Sequence, residues 1–245
     1  LNVMESLRLL DNHCIAVMIK SDKAYDNVEW EWGYRETDAL GGPDPYSGSK
    51  GAAELAIRSH IKSFFPATHT VKICVGRAGN VIGGGDWSPN RIVPDSVRAW
   101  AEGRQLEIRN PHSTRPWQHV LEPLSGYINL AISMRKNPLL HGEAFNFGPA
   151  DSQNRTVIDL VEEMSKHWEQ VKWIDVSQDN DGPYESGLLK LNCDKALFHL
   201  KWEPVWNFQQ TVMETTNWYK KYYQDDKSSI FELTSNQIQS YANLA

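Results

Sequence analysis

An α/β fold with a doubly wound parallel sheet is predicted by three features of the sequence. Residues 14 to 19 (Cys-Ile-Ala-Val-Met-Ile) form a continuous apolar run, the pattern of a strand buried on both faces. Residues 47 to 64 space Ala52, Ala53, Leu55, Ala56, Ile57 and Ile61 with a helical period and stop before Pro66. Residues 71 to 77 (Val-Lys-Ile-Cys-Val-Gly-Arg) read as a second strand. Strand, helix, strand in this order is how parallel sheets with crossover helices are written.

The remaining elements follow in turn. Residues 3 to 10 place apolar groups at helical spacing ahead of the first strand. Gly83-Gly84-Gly85-Asp86 is a loop, and its glycines suit a tight turn at least as well as a phosphate cradle. Helices are expected near 92–103, 121–135, 156–168 and 207–223, with short strands near 106–109 and 143–147. Residues 172–206 read as irregular, with Trp173, Trp202 and Trp206 packing inward, and a polar tail follows the last helix. The texture changes near residue 80. The expected division is residues 1–80, carrying the sheet and its chemistry, and residues 81–245, mainly a smaller mixed α/β lobe with some segments returning to the first domain.

The chain has 245 residues, 40% of them hydrophobic, enough for a real core. A formal charge of -6 argues against a nucleic-acid binder, which needs a basic face. A few placed arginines can still hold an anion. Cys14, Cys74 and Cys193 are scattered and form no metal pattern, which fits a reducing, cytoplasmic setting, with Cys14 and Cys74 as buried thiols. No apolar run approaches the roughly 20 residues of a membrane span.

A dinucleotide-binding sheet opens with a strand, a glycine-rich turn and a helix. Nothing before residue 14 reads as that unit. The expectation is therefore a chain that lacks the first half of its nucleotide fold and is inactive alone.

Tyr46-Ser-Gly-Ser-Lys50 sets a phenol and an ammonium four residues apart, on one face of a helix. A nearby cation favours phenolate below its free pKa of about 10. Tyr223 and Lys227 share the spacing, so the motif alone is weak. Context strengthens it. Ser21-Asp22-Lys23 follows the first strand, at the end where open α/β sheets place active sites.

A strand-end hydroxyl followed 25 positions later by Tyr-x-x-x-Lys resembles the extended short-chain dehydrogenase/reductase family. In that family the hydroxyl orients a sugar, the tyrosine takes its proton, and the lysine holds the nicotinamide ribose. The Asp22-Lys23 pair resembles the nucleotide-sugar 4,6-dehydratases, and specifically those acting on CDP-glucose. Long runs carry the same resemblance: Arg77 to Trp87 with Asn80, Arg109-Asn-Pro-His-Ser-Thr-Arg115-Pro-Trp-Gln-His119 onward to Tyr127, and Phe145-Asn146-Phe147-Gly148-Pro149. It extends over nearly the whole chain, from Asn2 to about Tyr223.

The resemblance implies a Rossmann-like sheet, NAD as recycled cofactor, a nucleotide-sugar substrate, and a homodimer or higher homo-oligomer. It makes Ser21, Asp22, Lys23, Tyr46 and Lys50 catalytic, with Tyr46, Lys50 and Arg77 at the cofactor. Asn80, Arg91, Arg115 and Asn146 would hold the diphosphate and sugar, Arg109 would line the base pocket, and Glu185 would join the substrate contacts. Trp87, Trp117 and His119 pack either on substrate or in the core. Asp22 would protonate the departing 6-hydroxyl. Lys23 would either remove the carbon-5 proton as a neutral amine, at a cost of roughly 4–5 kcal/mol, or stay charged and stabilise the enolate while water carries the proton. Departures from the family are Lys20, which adds a cation beside Lys23 or points to solvent, Glu5, and Tyr184-Glu185-Ser-Gly-Leu188. Substrates with dTDP or UDP-N-acetylglucosamine, and a non-catalytic nucleotide-sugar-binding remnant, are the rival readings.

Overall fold

The computed structural model describes residues 1–150, 153–179, 187–224 and 227–245. In chain order the elements are α1 (Asn2–Arg8), β1 (Cys14–Ser21), α2 (Pro45–Phe64), β2 (Val71–Ala78), β3 (Val81–Ile82), α3 (Ile92–Ala101), β4 (Leu106–Ile108), β5 (Thr114–Arg115), β6 (Gln118–His119), α4 (Leu121–Lys136), β7 (Ala144–Phe147), β8 (Arg155–Thr156), α5 (Val157–Ser165), β9 (Trp173–Asp175), α6 (Asp194–Leu200), α7 (Phe208–Gln224) and α8 (Ile230–Ala242). The chain folds into two units, neither continuous in sequence. Unit 1 is Leu1–Gly79, Pro123–Asp151 and Lys190–Glu203; unit 2 is Asn80–Glu122, Ser152–Leu189 and Pro204–Ala245.

Unit 1 is built on a parallel sheet of order β1-β2-β7. Alternate residues of β2 face opposite sides, as pleating requires. Val71, Ile73 and Val75 join Met4, Ile57, Ile61 and Phe65 beneath α1 and α2. On the other side Gly76 gives α4 a close seat: a Cβ there would lie 2.7 Å from the Tyr127 ring. Burial pushes the Cys74 thiol up to about 12, so it is an inert core group.

Among the described residues of this chain β1 pairs with β2 alone, and the burial on both faces that its apolar run suggests is partial. Its side chains are mostly half-buried and Ile19 is 62% exposed. Cys14 is likewise only partly covered. Pairing on one side gives β1 its hydrogen bonds, but burial depends on layers that a six-residue pattern does not report.

Unit 2 holds the short pairs β3–β6 and β4–β9, both parallel, and the antiparallel β5–β8. Val97, Ile108, Leu160, Met164, Val212 and Tyr219 form part of its core with α3, α5 and α7 around them. A capping box between Thr156 and Asp159 starts α5. Two elements were not expected in the stretch read as irregular: β9 and α6. The polar tail contains α8, whose inward face mixes Ile230, Leu233 and Tyr241 with Thr234 and Gln237. Thr234 Oγ1 accepts from the Trp218 indole at 2.9 Å, and the Gln237 amide donates to Glu214. These polar positions interrupt the apolar period on that face. The buried Glu122 carboxylate fixes its end, accepting from Tyr241 Oη at 2.7 Å and from the amides of Val205 and Trp206.

His119 is 3% exposed, with Trp206 edge-on at 4.7 Å. Its Nδ1 accepts from the Leu121 amide, which places the proton on Nε2. Burial lowers its pKa from 6.5 to about 4. A depressed folded-state pKa contributes stability in full above 6.5, and that contribution is lost as pH falls toward 4. The shift corresponds to roughly 3 kcal/mol. Thermal melts from about pH 7 to about pH 4.5 should therefore show a shallower loss of midpoint for His119→Phe than for the parent; parallel losses would contradict this.

Candidate active site

The tip of β1 turns at once into a 3-10 turn, Asp22–Ala24. The Ser21 hydroxyl donates to Asp22 Oδ1 at 2.9 Å and accepts from the Lys23 amide at 3.2 Å. Asp22 is 3% exposed. Its carboxylate fits because residue 79 is glycine: a Cβ there would lie 1.8 Å from Oδ2. Lys23 is half-buried beside it.

α2 begins at Asp44, whose carboxylate caps the Ser47 amide at 3.0 Å, with Pro45 in the first turn. The Ser47 hydrogen bonds hold the Asp44 carboxyl below the usual range, and the Lys23 charge adds to the effect. Lys23 therefore lies within electrostatic reach of the start of α2. Tyr46 is 57% exposed, and Lys50 Nζ sits 4.9 Å from its ring centroid. Lys20 lies on the α2 face: burial lowers its pKa, Glu54 opposes this, and Lys50 lowers it further. Its neighbours are thus the α2 charges.

Two expected ligand residues have other work. Arg77, expected at the cofactor, is 3% exposed. Its Nε donates to Glu54 Oε1 at 2.6 Å, Nη2 donates to the same oxygen, and Nη1 donates to Tyr25 Oη at 2.6 Å and to the Glu36 carbonyl at 3.3 Å. Asn146, expected at the diphosphate, is fully buried. Its Oδ1 accepts from Tyr25 Oη at 2.7 Å, and its Nδ2 donates to the carbonyls of Tyr34 and Asn192 at 2.9 and 3.1 Å. Its amide donates to Glu36 Oε1 at 2.8 Å. Residue type suggested ligand contact, but these donors are consumed inside unit 1. Sequence reasoning missed Glu54 and Tyr25. The signal available was Glu54 itself, one turn after Lys50 on an otherwise apolar helix face. Burial raises the Tyr25 phenol, keeping it a neutral donor between Arg77 and Asn146.

In unit 2 two cavities of about 180 and 160 Å³ meet at the start of α3 and share Ile92 and Trp117 as walls. The first also takes in Asn80, Asp86 and Arg91; the second takes in Asn90, Arg109 and Arg115. Four expected ligand residues are thus gathered in one region. Asn80 has a left-handed backbone, φ 51°. Arg91 is mostly exposed and 3.9 Å from Asp86. Arg115 is 9% exposed and donates to the Thr114 carbonyl at 2.8 Å. Trp87 packs among Trp218, Tyr219, Tyr222 and Tyr223. Glu185 lies outside the described residues. Among the described residues no three His, Cys, Asp or Glu side chains form a group able to hold a metal, and no helix is long and apolar enough to cross a membrane.

Residues 1–215 match the family model described as GDP-mannose 4,6 dehydratase. The chain is 44% identical over 224 residues to the CDP-glucose 4,6-dehydratase of Salmonella typhimurium, covering 89% of this chain and 62% of that protein. It is 25% identical to the dTDP-glucose 4,6-dehydratase of Streptomyces antibioticus, covering 89% of this chain and 63% of that one. The chain therefore spans less than two thirds of these curated relatives. Among solved structures, the dTDP-glucose 4,6-dehydratase of Bacillus anthracis in complex with NAD superposes with TM-score 0.68 at 22% identity, covering 90% of this chain and 65% of that one. RMD from Pseudomonas aeruginosa with NADPH gives 0.73 at 18%, covering 90% and 71%.

The Arg77–Glu54 pair makes a stability prediction that is independent of activity. Removing one partner strands a buried charge, which costs about 3–5 kcal/mol. Glu54→Ala should lower the chemical denaturation midpoint of unit 1 accordingly. A midpoint unchanged within error would show that the pair is not needed.

Proposed function

The chain belongs to the GDP-mannose 4,6 dehydratase family, and from that premise we propose that the whole protein is an NAD-dependent 4,6-dehydratase acting on CDP-D-glucose. The observation that carries the reading is the placement of Asp22 and Lys23 at the β1 tip, next to the helix that presents Tyr46 and Lys50. An epimerase or plain reductase has no use for two further proton-transfer groups. The 44% identity to a CDP-glucose enzyme supports the choice of base.

Tyr46 and Lys50 fit the nicotinamide-ribose end of NAD, since the phenol is exposed on the first turn of α2 with the ammonium against its ring. NAD, held there, would supply a hydride acceptor for carbon 4 and a hydride donor for carbon 6. No glycine-rich strand–turn–helix unit is written in this chain. We assign dinucleotide binding to the whole protein, with further parallel strands adding at the open edge of β1.

Ser21 orients the sugar 4-hydroxyl, and Tyr46 takes its proton, with Lys50 favouring the phenolate. The new carbonyl at carbon 4 acidifies carbon 5. Lys23 assists loss of that proton, directly or by stabilising the enolate. Asp22, in its acid form, protonates the departing 6-hydroxyl, which leaves as water. With hydride at carbon 6 and a proton restored to carbon 5, the product is the 4-keto-6-deoxy sugar nucleotide; Tyr46 then releases the proton it took and Asp22 regains the one it gave, through solvent. The unit 2 arginines Arg91, Arg109 and Arg115 serve the diphosphate, for which paired N–H donors are well matched.

Incubating the full-length protein with CDP-glucose, dTDP-glucose and UDP-N-acetylglucosamine, and following keto-sugar formation, tests the reading. Fastest turnover is expected with CDP-glucose; turnover of another nucleotide instead would move the substrate, and no product from any would favour a non-catalytic binder. Lys23→Met should retain NAD binding, read by fluorescence titration, while product formation falls by about 10²-fold or more. Undiminished turnover would remove Lys23 from the mechanism.

A further inference from the structure

Lys20 occupies an inward position of β1. Cys14, Ala16 and Met18 pack against the core beneath α1 and α2, and pleating carries the same face on to residue 20. Lys20 is half-buried there, while its neighbour Ile19, on the opposite face, is exposed. The cross-strand partner of Lys20 is Arg77, whose guanidinium reaches Glu54 on α2. Paired strands run about 4.8 Å apart, so two cations stand side by side under α2. Glu54 is the carboxylate they share: it pairs with Arg77, and its charge opposes the effect of burial on Lys20.

These charges decide a competition on α2. Lys50 and Glu54 are four residues apart, the spacing at which a helical lysine and glutamate form an ion pair. Such a pair draws the ammonium down the helix, away from Tyr46. Instead Glu54 is taken by Arg77, and Lys50 Nζ lies 4.9 Å from the Tyr46 ring centroid. With Lys20 beside Arg77, two positive charges face one carboxylate, and Lys50 and Lys20 repel each other. Arg58, four residues beyond Glu54, adds a further cation on α2. The other charged groups nearby have partners of their own. Glu36 accepts from the Asn146 amide, and burial raises its pKa. Asp44 caps α2 with Lys23 in reach. Asp22 accepts from Ser21 Oγ. On α1, Glu5 faces Arg8 and His60.

We propose that Lys20 is a positioning residue for the Tyr46–Lys50 pair: its charge beside Glu54 keeps the Lys50 ammonium off the carboxylate four residues on and directs it to the Tyr46 phenol. What the pair does rests on the dehydratase reading above; how Lys50 is aimed is independent of it. Lys20 acts from behind α2 and touches neither substrate nor cofactor. Neutralising it frees Lys50 to approach Glu54 and removes positive charge from the neighbourhood of the phenol. Both changes disfavour phenolate.

Lys20→Met keeps an unbranched stem and deletes the charge; Lys20→Arg keeps the charge. Both are made in the full-length protein, with melting temperatures to confirm the fold and Lys20→Gln as a second neutral variant should Lys20→Met not fold. A crystal structure of the neutral variant should show Lys50 Nζ moved to within about 4 Å of a Glu54 oxygen, the distance of an ion pair. Keto-sugar formation from CDP-glucose, followed from about pH 5 to about pH 9, should show the acid limb of kcat/KM displaced upward by about half a pH unit or more. Lys20→Arg should keep the parent limb. Lys50 remaining at the Tyr46 ring in the neutral variant overturns the inference. So does an unmoved limb, or a limb displaced equally in Lys20→Arg, since a loss of packing and not of charge would then be responsible. A parent protein that makes no keto-sugar from any nucleotide sugar overturns the dehydratase reading, and the position of Lys50 in the crystal then decides this inference alone.

Discussion

Burying Arg77 constrains the rest of unit 1. A guanidinium taken out of water needs an opposite charge and acceptors for its N–H groups. Glu54 supplies the charge from α2, and Tyr25 and the Glu36 carbonyl supply further acceptors. Each partner fixes something else. Glu54 sets the rotation of α2, and Lys50 and Tyr46 lie one and two turns earlier on the same stripe. Tyr25 closes the segment that leaves Asp22 and Lys23, and through Asn146 it ties that segment to β7. The groups assigned to chemistry are thus held by a network that contains none of them. This is how a reactive arrangement keeps its geometry while its own side chains remain available.

Much of this was legible in the sequence because it depends on periodicity and spacing. The strand–helix–strand opening, the four-residue interval of Tyr46 and Lys50, and the position of Ser21-Asp22-Lys23 after a strand are local facts. What was not legible depends on partners distant in the chain. Arg77 and Asn146 have the side chains of ligand residues, and only the fold reveals that Glu54, Tyr25, Tyr34 and Asn192 claim them. α8 escaped because Thr234 and Gln237 interrupt the apolar spacing of Ile230, Leu233 and Tyr241 on its inward face. The break near residue 80 was visible as a change of texture and a return of later segments was expected, but that 123–151 and 190–203 are the ones that return was not legible, because a chain crossing between units leaves no compositional mark.

Unit 2 follows a different logic. Its core is aromatic, and its cavities sit where a helix starts without a cap. Asn80, Arg91, Arg109 and Arg115 come from three separated segments, and the start of α3 is where they meet. Two of the glycines at 83–85 serve this packing. Gly84 lies against the Trp218 ring, where a Cβ would approach to 2.0 Å, and Gly85 takes a left-handed φ of 85°. The tight turn that this cluster suits in sequence is here a way to lay a loop flat on an indole.

The open edge of β1 has a consequence for handling the molecule. Its outer backbone groups face away from β2, and Ile19 stands clear of the core beside Lys20, a half-buried cation. An apolar edge of this kind is a template for strand addition by any neighbouring chain, and charge is the usual deterrent. The colloidal behaviour of this segment in isolation is therefore governed by a few residues of β1. Loss of material to edge-to-edge assembly would rise with concentration and would respond to substitutions at 17 and 19 before any change in the chemistry was felt.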